Sequence, residues 1–252
     1  MLKSEILSAL KTIPGDTAVA IQYLDGSAPL LHNEHMPLIA ASVIKLGVML
    51  EAFRAFEAGE LSKDELFTVR DEDKMPSCGA LTYMHKDVQA TALDLVTLMI
   101  IVSDNTATNL LIERLGIENI NKTLASYGLD GIILRRKLFD AKSAARGIQN
   151  TVTAAGVLRF YSLLMEEKLV SAESSREMLA ILKNQRLKGK MPFFLSPLGI
   201  RCAHKTGEDD ETTHDTGVIF TQPACIAVFL SNNVCVPDFE RFIQDASLAL
   251  TR

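Results

Sequence analysis

Pro37-Leu38-Ile39-Ala40-Ala41-Ser42-Val43-Ile44-Lys45-Leu46-Gly47-Val48-Met49-Leu50-Glu51-Ala52-Phe53 is apolar almost throughout, yet it carries a hydroxyl and an amine three residues apart. From Ser42 to Ala58 the residues Val43, Ile44, Leu46, Val48, Met49, Leu50 and Phe53 are spread nearly all round a helical wheel, and Gly59 stops the run. A helix apolar on every side is buried on most sides, so Ser42 and Lys45 stand at the start of a central helix. Spacing of i to i+3 puts the two side chains on one face. A lysine in such surroundings tends to lose its proton through desolvation. A serine hydroxyl in turn needs a base within hydrogen-bond reach to act as a nucleophile.

Ser-x-x-Lys is by itself a weak pattern. Ser8-Ala9-Leu10-Lys11 fits it too, on an opening helix whose Leu2, Ile6, Leu7 and Leu10 form an ordinary apolar stripe. Two later strings change its weight. Ser103-Asp104-Asn105 and Lys205-Thr206-Gly207 each occur once, in that order, and each is expected by chance in only roughly one chain in twenty of this size.

The flanking segments supply the architecture. Pro14-Gly15 ends the opening helix, Thr17 to Leu24 reads as a strand closed by Asp25-Gly26, and a short strand near Leu30 to Asn33 completes a hairpin. Thr91 with Asp94 begins an apolar helix through Val102, and another helix runs from about Thr106 to Leu115, so Ser103-Asp104-Asn105 lies at a joint between helices. Helices are also expected at Glu118 to Tyr127, Thr153 to Glu167 and Ala172 to Lys183, with a polar loop from Leu129 to Asn150. The strands Arg201 to Thr206, Thr216 to Phe220 and Cys225 to Leu230 follow, then a last helix capped by Asp238.

Strands at both ends and helices between predict an α+β fold. In it a five-stranded antiparallel sheet is flanked by helices, beside an all-helical lobe. We read one domain over residues 1–252, with an α/β lobe from about 1–37 and 199–252 and a helical lobe over about 38–198. The three strings then meet in the groove between the lobes.

There, Ser103 can relay a proton to a leaving group, and the Asn105 amide offers a donor and an acceptor to a substrate amide. Capping is the plainer role of Ser-Asp-Asn, and Asp104 suits that role. Lys205 and Thr206 can bind a substrate carboxylate, while Gly207 lets substrate backbone approach a strand edge. The peptide N–H of Glu208 can join that of Ser42 as an oxyanion hole. Glu208, Asp209, Asp210 and Glu211 form an acidic turn that either disfavours anionic substrates or is simply solvated.

Bulk properties exclude other classes. With 252 residues, 48% of them hydrophobic, and a net charge of -5 without a basic stripe, the chain is neither disordered nor built for nucleic acid. The apolar stretches Leu38 to Phe53 and Leu93 to Val102 are too short and too interrupted to span a membrane, and read as core helices. Cys78, Cys202, Cys225 and Cys235 form no C-x-x-C pair and read as free thiols, and His32-x-x-His35 lacks zinc spacing, so neither metal nor cofactor is expected. The opening residues show no secretory h-region, which predicts a cytoplasmic chain as written, periplasmic or secreted if an export signal precedes it. The expected partner is a small molecule, and the expected state a monomer.

The approach Pro37 to Ala41 before Ser42, the stretch Val102-Ser103-Asp104-Asn105-Thr106-Ala107-Thr108-Asn109-Leu110-Leu111, and His204-Lys205-Thr206-Gly207 resemble the penicillin-recognising serine hydrolases. Among these the chain is most similar to the class A β-lactamases, over nearly its whole length. The resemblance implies the β-lactamase/transpeptidase-like fold and an acyl-enzyme on Ser42, with Lys45, Ser103, Asn105, Lys205 and Thr206 in the roles above. It implies hydrolysis of a β-lactam amide, or of a peptide or ester by the same fold. A sensor that acylates without turnover is a further alternative.

One family feature is missing. The family's Ω-loop carries an arginine, then a glutamate that activates the deacylating water, then an asparagine. In Leu134-Arg135-Arg136-Lys137-Leu138, the glutamate position falls on Lys137 or Leu138. Asn150 matches the loop asparagine. Asp140, or His214 entering a strand, is the available substitute base.

Overall fold

The computed structural model describes residues 2–251, and the side chains of Leu2 and Lys3, the former part of the expected stripe, lie outside the described set. In chain order the first elements are α1 (Leu2–Leu10), β1 (Asp16–Tyr23), β2 (Leu30–His32) and β3 (Leu38–Ile39). A 3-10 turn over Ala41–Ile44 leads into α2 (Lys45–Glu57), and β4 (Leu66–Val69) and β5 (Val88–Thr91) form a ribbon before α3 (Ala92–Ile101). Next come α4 (Asn105–Leu115), α5 (Ile117–Ser126), β6 (Ile132–Ile133), α6 (Ala141–Ala145), β7 (Thr151–Val152), α7 (Ala154–Met165) and α8 (Ala172–Lys183). The chain closes with β8 (Cys202–Asp209), β9 (Thr212–Ile219), β10 (Cys225–Asn232) and α9 (Val236–Ala249).

The expected sheet forms in the order β2-β1-β10-β9-β8, joining the first two strands to the last three. Every pairing is antiparallel, with Val19 opposite Phe229 and Lys205 opposite Thr216. Both faces are covered, which is why β10 is buried along its whole length and is apolar from Cys225 to Leu230 rather than alternating. Ala18, Ala20, Ile226, Val228 and Leu230 pack toward the helical lobe, while Val19, Ile21, Ala227 and Phe229 pack with Ile6, Phe239 and Ile243 of α1 and α9.

Helix α2 runs through the middle of the helical lobe. Its residues Leu46, Val48, Met49, Leu50 and Phe53 are fully buried, and it packs against α3, α4, α5 and α8. The acid it carries, Glu51, is neutralised inside this core by a two-pronged bond from Arg54 at 2.8 Å on each arm and by the Thr123 hydroxyl. At Gly47 a Cβ would meet Leu124 Cδ1 at 2.9 Å, so a larger residue there would have to displace the Leu124 side chain.

Several boundaries differ from the sequence expectations. The helix expected from Ser42 begins only at Lys45, because the preceding turn is 3-10, and Leu38–Ile39 is a strand rather than part of a core helix. The strand expected from Thr216 starts at Thr212, so the polar run Thr212-Thr213-His214-Asp215 is buried within the sheet. The last helix begins at Val236 with Cys235 at its cap and Pro237 in its first turn; Asp238 is inside that turn rather than the cap. The polar loop contains β6 and α6 and runs into β7, and a small sheet ordered β3-β7-β6 ties it to the nucleophile's approach through Leu38, Val152 and Ile132. Two-residue strands leave too little periodicity to read.

Candidate active site

Ser42 stands in the 3-10 turn at the head of α2. In that geometry residues i and i+3 eclipse one another, so Lys45 lies directly beneath Ser42 and its Nζ is 2.9 Å from Ser42 Oγ. Ala41, just before the nucleophile, has φ +42°, and Ser103 has φ +55°, both in the left-handed region. Such conformations cost about 1–3 kcal/mol each for residues other than glycine and concentrate where a side chain must be aimed.

The Lys45 amine is fully buried and meets four oxygens: Ser42 Oγ, Ser103 O at 2.8 Å, Ser103 Oγ at 2.9 Å and Asn105 Oδ1 at 2.8 Å. The Asn105 orientation is fixed independently, because its Nδ2 donates to Pro76 O at 3.0 Å. Ser103 O and Asn105 Oδ1 can only accept, so they consume two N–H donors. A neutral amine has those two donors and one lone pair, which leaves the lone pair for a hydroxyl proton. Burial, with the Lys205 ammonium second, pushes the Lys45 pKa well below its usual value, which favours that neutral form.

Lys205 approaches from β8. Its Nζ donates to Ser103 Oγ at 3.0 Å and to Thr206 O at 2.9 Å, and burial brings its pKa down to about 7 despite the opposing charge of Asp215. Ser103 Oγ thus receives an N–H from Lys205 and stands 2.9 Å from the Lys45 amine, whose two N–H groups are already taken. With neither lysine accepting it, the Ser103 proton can point into the cleft.

Asp104 is structural, as expected of a cap. Its Oδ1 accepts from Ala107 N at 2.9 Å at the start of α4, and Oδ2 accepts from Ala80 N at 2.6 Å and Leu81 N at 2.9 Å. It thereby anchors the segment Ser77-Cys78-Gly79, whose Cys78 carbonyl accepts from Asn105 N at 3.2 Å. Gly79 has φ +125°, and a Cβ there would lie 2.4 Å from Asp104 Oδ2, so only glycine fits. Sequence reasoning missed this wall of the cleft, although the glycine was its one available signal.

The cleft itself is a cavity of about 600 Å³ lined by Ser42, Ser103, Asn105, Thr206, Gly207 and Glu208 on one side and by Arg136, Leu138, Phe139, Asp140 and Asn150 on the other. The Thr206 hydroxyl has no protein partner among the described residues. Gly207 serves closeness of a different kind from the one expected: a Cβ there would meet His214 Cδ2 at 2.9 Å, Val43 Cγ2 at 3.2 Å and Ala41 Cβ at 3.3 Å. What approaches is the nucleophile turn itself. Lys190, which no sequence signal marked, is buried and bonds Gly207 O and His214 O at 3.3 Å each and Glu208 Oε1 at 3.0 Å.

On the loop side, Lys137 turns outward to Glu113 at 2.8 Å and Leu138 lines the cavity, held by two bonds between its backbone and the Asn109 amide. The loop's cavity-facing position between the two candidates is therefore a leucine. Asn150 clasps the loop: its Oδ1 accepts from Arg135 N at 2.7 Å and Arg136 N at 3.0 Å, its Nδ2 donates to Arg136 O, and its carbonyl accepts from Ala40 N.

Neither substitute base is poised for the task. Asp140 lines the cavity, but its carboxylate caps α6 by accepting from Ser143 N at 3.0 Å and Ser143 Oγ at 2.6 Å, and those bonds hold its pKa below the usual carboxylate value. His214 is fully buried with both nitrogens occupied, Nε2 on Ile39 O at 2.8 Å and Nδ1 on Ser231 N at 3.1 Å. Burial brings its pKa down to about 4, and it acts as a strut between β9 and β3.

All four cysteines are free thiols, no helix among the described residues is long and apolar enough to cross a membrane, and no metal-binding cluster occurs among them.

A five-stranded sheet against a helical lobe, with a serine, two buried lysines and a Ser-Asp-Asn turn at their junction, is the design of the β-lactamase-type serine enzymes. A model of the "Beta-lactamase enzyme family" matches residues 1–252, and the chain belongs to that family. Among solved structures it is similar to a β-lactamase from Sphaerobacter thermophilus, at 30% identity over 99% of this chain and 95% of that one, with a TM-score of 0.90. It is similar to PBP-A, whose leucine-to-glutamate variant is described as an acyl-enzyme complex with penicillin G, at 25% identity over 99% and 94% with a TM-score of 0.88. The fold is shared with the TLA-1 extended-spectrum β-lactamase at 20% identity over 100% and 98%, TM-score 0.86. No curated protein sequence matches the chain.

Proposed function

We propose that this protein is a serine acyl-transfer hydrolase of β-lactamase type, which acylates readily on Ser42 and releases its acyl group slowly. The observation that carries the proposal is the 2.9 Å contact between Lys45 Nζ and Ser42 Oγ in a site where the other partners of the amine demand its N–H groups. Ser42 Oγ attacks the substrate carbonyl and its proton passes to the Lys45 lone pair. The peptide N–H groups of Ser42 and Glu208 hold the oxyanion; Glu208 lies on β8, the edge strand of the sheet, whose outer side has no ladder partner. As the amide C–N bond breaks, Ser103 donates its proton to the departing nitrogen and is reprotonated from Lys45 across their 2.9 Å contact. Lys205 and Thr206 receive the substrate carboxylate, and Asn105 retains one N–H and one lone pair for a substrate amide.

Release is the weak step. Hydrolysis of the ester needs a base for water, and the loop offers Leu138 where a carboxylate would serve. The same feature favours a second reading, a peptidase or esterase of this fold, or a sensor that acylates once. Incubation with a penicillin followed by intact-mass measurement tests the proposal: an adduct mapping to Ser42 that outlives the mixing time by minutes is expected. No adduct with penicillins, cephalosporins or activated esters would show the nucleophile assignment to be wrong.

A further inference from the structure

Beside the start of β8 lies a second cavity, of about 220 Å³, which shares no lining residue with the cleft. Lys183, Lys188 and Arg201 line it with Ser196, Cys202 and His204, and no carboxylate does. Lys183 is held over the ring of Phe220 at 4.5 Å, and the side chains of Lys188 and Arg201 have neither an ion pair nor a hydrogen bond among the described residues. Three cations thus converge without an acid in a chain whose net charge is -5. The fourth member is His204, 1% exposed, whose Nδ1 faces Asp215 Oδ1 at 2.8 Å. Asp215 is itself fully buried, and its other oxygen accepts from Met191 N at 2.9 Å. No described residue bonds His204 Nε2, which is left toward the cavity.

We infer that this cavity is a second ligand site, for a small oxyanion that carries its own proton, with hydrogen phosphate as the simplest case. The cations select an anion. Asp215 takes the Nδ1 proton, so a ring that carries that single proton presents a lone pair at Nε2, and that lone pair needs a ligand O–H. Hydrogen phosphate supplies one and sulfate does not. The inference is independent of the Ser42 chemistry.

The test is a titration of the full chain, labelled with ¹⁵N-histidine, with sodium phosphate, methyl phosphate and sodium sulfate in separate arms at pH 8 and matched ionic strength. Phosphate should move the His204 Nε2 resonance saturably, and sulfate should bind at least about tenfold more weakly, the worth of one lost hydrogen bond. The exposed-residue double variant K188Q/R201Q should keep the native spectrum and weaken phosphate at least about tenfold. Methyl phosphate, a dianion without a proton at this pH, should bind as weakly as sulfate. Absence of a His204 shift, unsaturable drift in both protein forms, or equal binding of sulfate and phosphate would overturn the inference.

Discussion

On one wall of the cleft, Lys45, Ser103, Asn105 and Lys205 are buried and joined by hydrogen bonds of 2.8–3.0 Å. On the other wall, the segment from Arg136 to Asn150 presents a leucine, an exposed phenylalanine and a carboxylate already used as a helix cap. The first wall has donors and acceptors arranged before substrate arrives, which is the electrostatic preorganisation that acylation requires. The second is held just as firmly, by the Asn150 clasp and the Asn109 bonds, but holds no base. On the proposed function, acylation and deacylation are therefore separable properties of one cleft, and a fixed loop is not the same thing as a catalytic one.

The comparison breaks most sharply at Lys45. Lys45→Ala should slow acylation of Ser42 by about 10²–10⁴-fold, the usual contribution of a positioned base, as measured by stopped-flow with a chromogenic cephalosporin. A loss below about tenfold would shift the base to another group. Leu138→Glu addresses the opposite wall. It should shorten adduct lifetime by at least about tenfold while leaving the acylation rate within a few-fold, because it adds a base only for water.

Lys205 links the walls to pH. With its pKa at about 7, the ammonium that receives a carboxylate is present below that pH and lost above it. The second-order acylation constant for an anionic β-lactam should fall as pH rises through about 7, whereas that for a neutral activated ester should not follow. Lys205→Arg should flatten the fall, since its charge persists. Stability runs the other way. The amine's folded pKa lies below its unfolded value, so the folded state binds fewer protons between about 7 and 10.5, and stability rises with pH across that window.

Asn150→Ala sharpens the structural half of the comparison. It removes three bonds that hold Arg135 and Arg136 and should cost about 2–3 kcal/mol, read as a lower thermal midpoint, with acylation little changed. The smallest effect concerns His214. With a folded pKa of about 4, its ring resonances should stay fixed between pH 8 and pH 5. The stability held in its neutral form is lost as pH falls from 6.5 toward 4, because the unfolded chain takes up the proton first.

Much of the first wall was legible in the sequence. An amine placed three residues after a serine on an all-apolar helix, a capping triplet between helices and a lysine entering a strand each signal their own place, and the five-stranded sheet follows from strands at both ends of the chain. The second wall was not legible. Leu138 and Lys137 are distinguished only by which one faces inward, and that is set by Asn109, far away in sequence. His214 and Asp140 were reasonable bases by residue type, and only their partners, Ile39, Ser231 and Ser143, show them to be occupied. Lys190 lies in a segment without periodicity and acquires its role from a tertiary contact with the Gly207 carbonyl. The 3-10 turn was hidden because its residues suit an α-helix equally well.

The central claim is that Ser42 is acylated fast and freed slowly. Quenched-flow mixing with excess penicillin, followed by intact-mass analysis and peptide mapping, tests it most directly. The account predicts that one equivalent of adduct accumulates on Ser42 and decays over minutes or longer. An enzyme that consumes the penicillin in steady state without accumulating adduct, or an adduct on any residue other than Ser42, would contradict it.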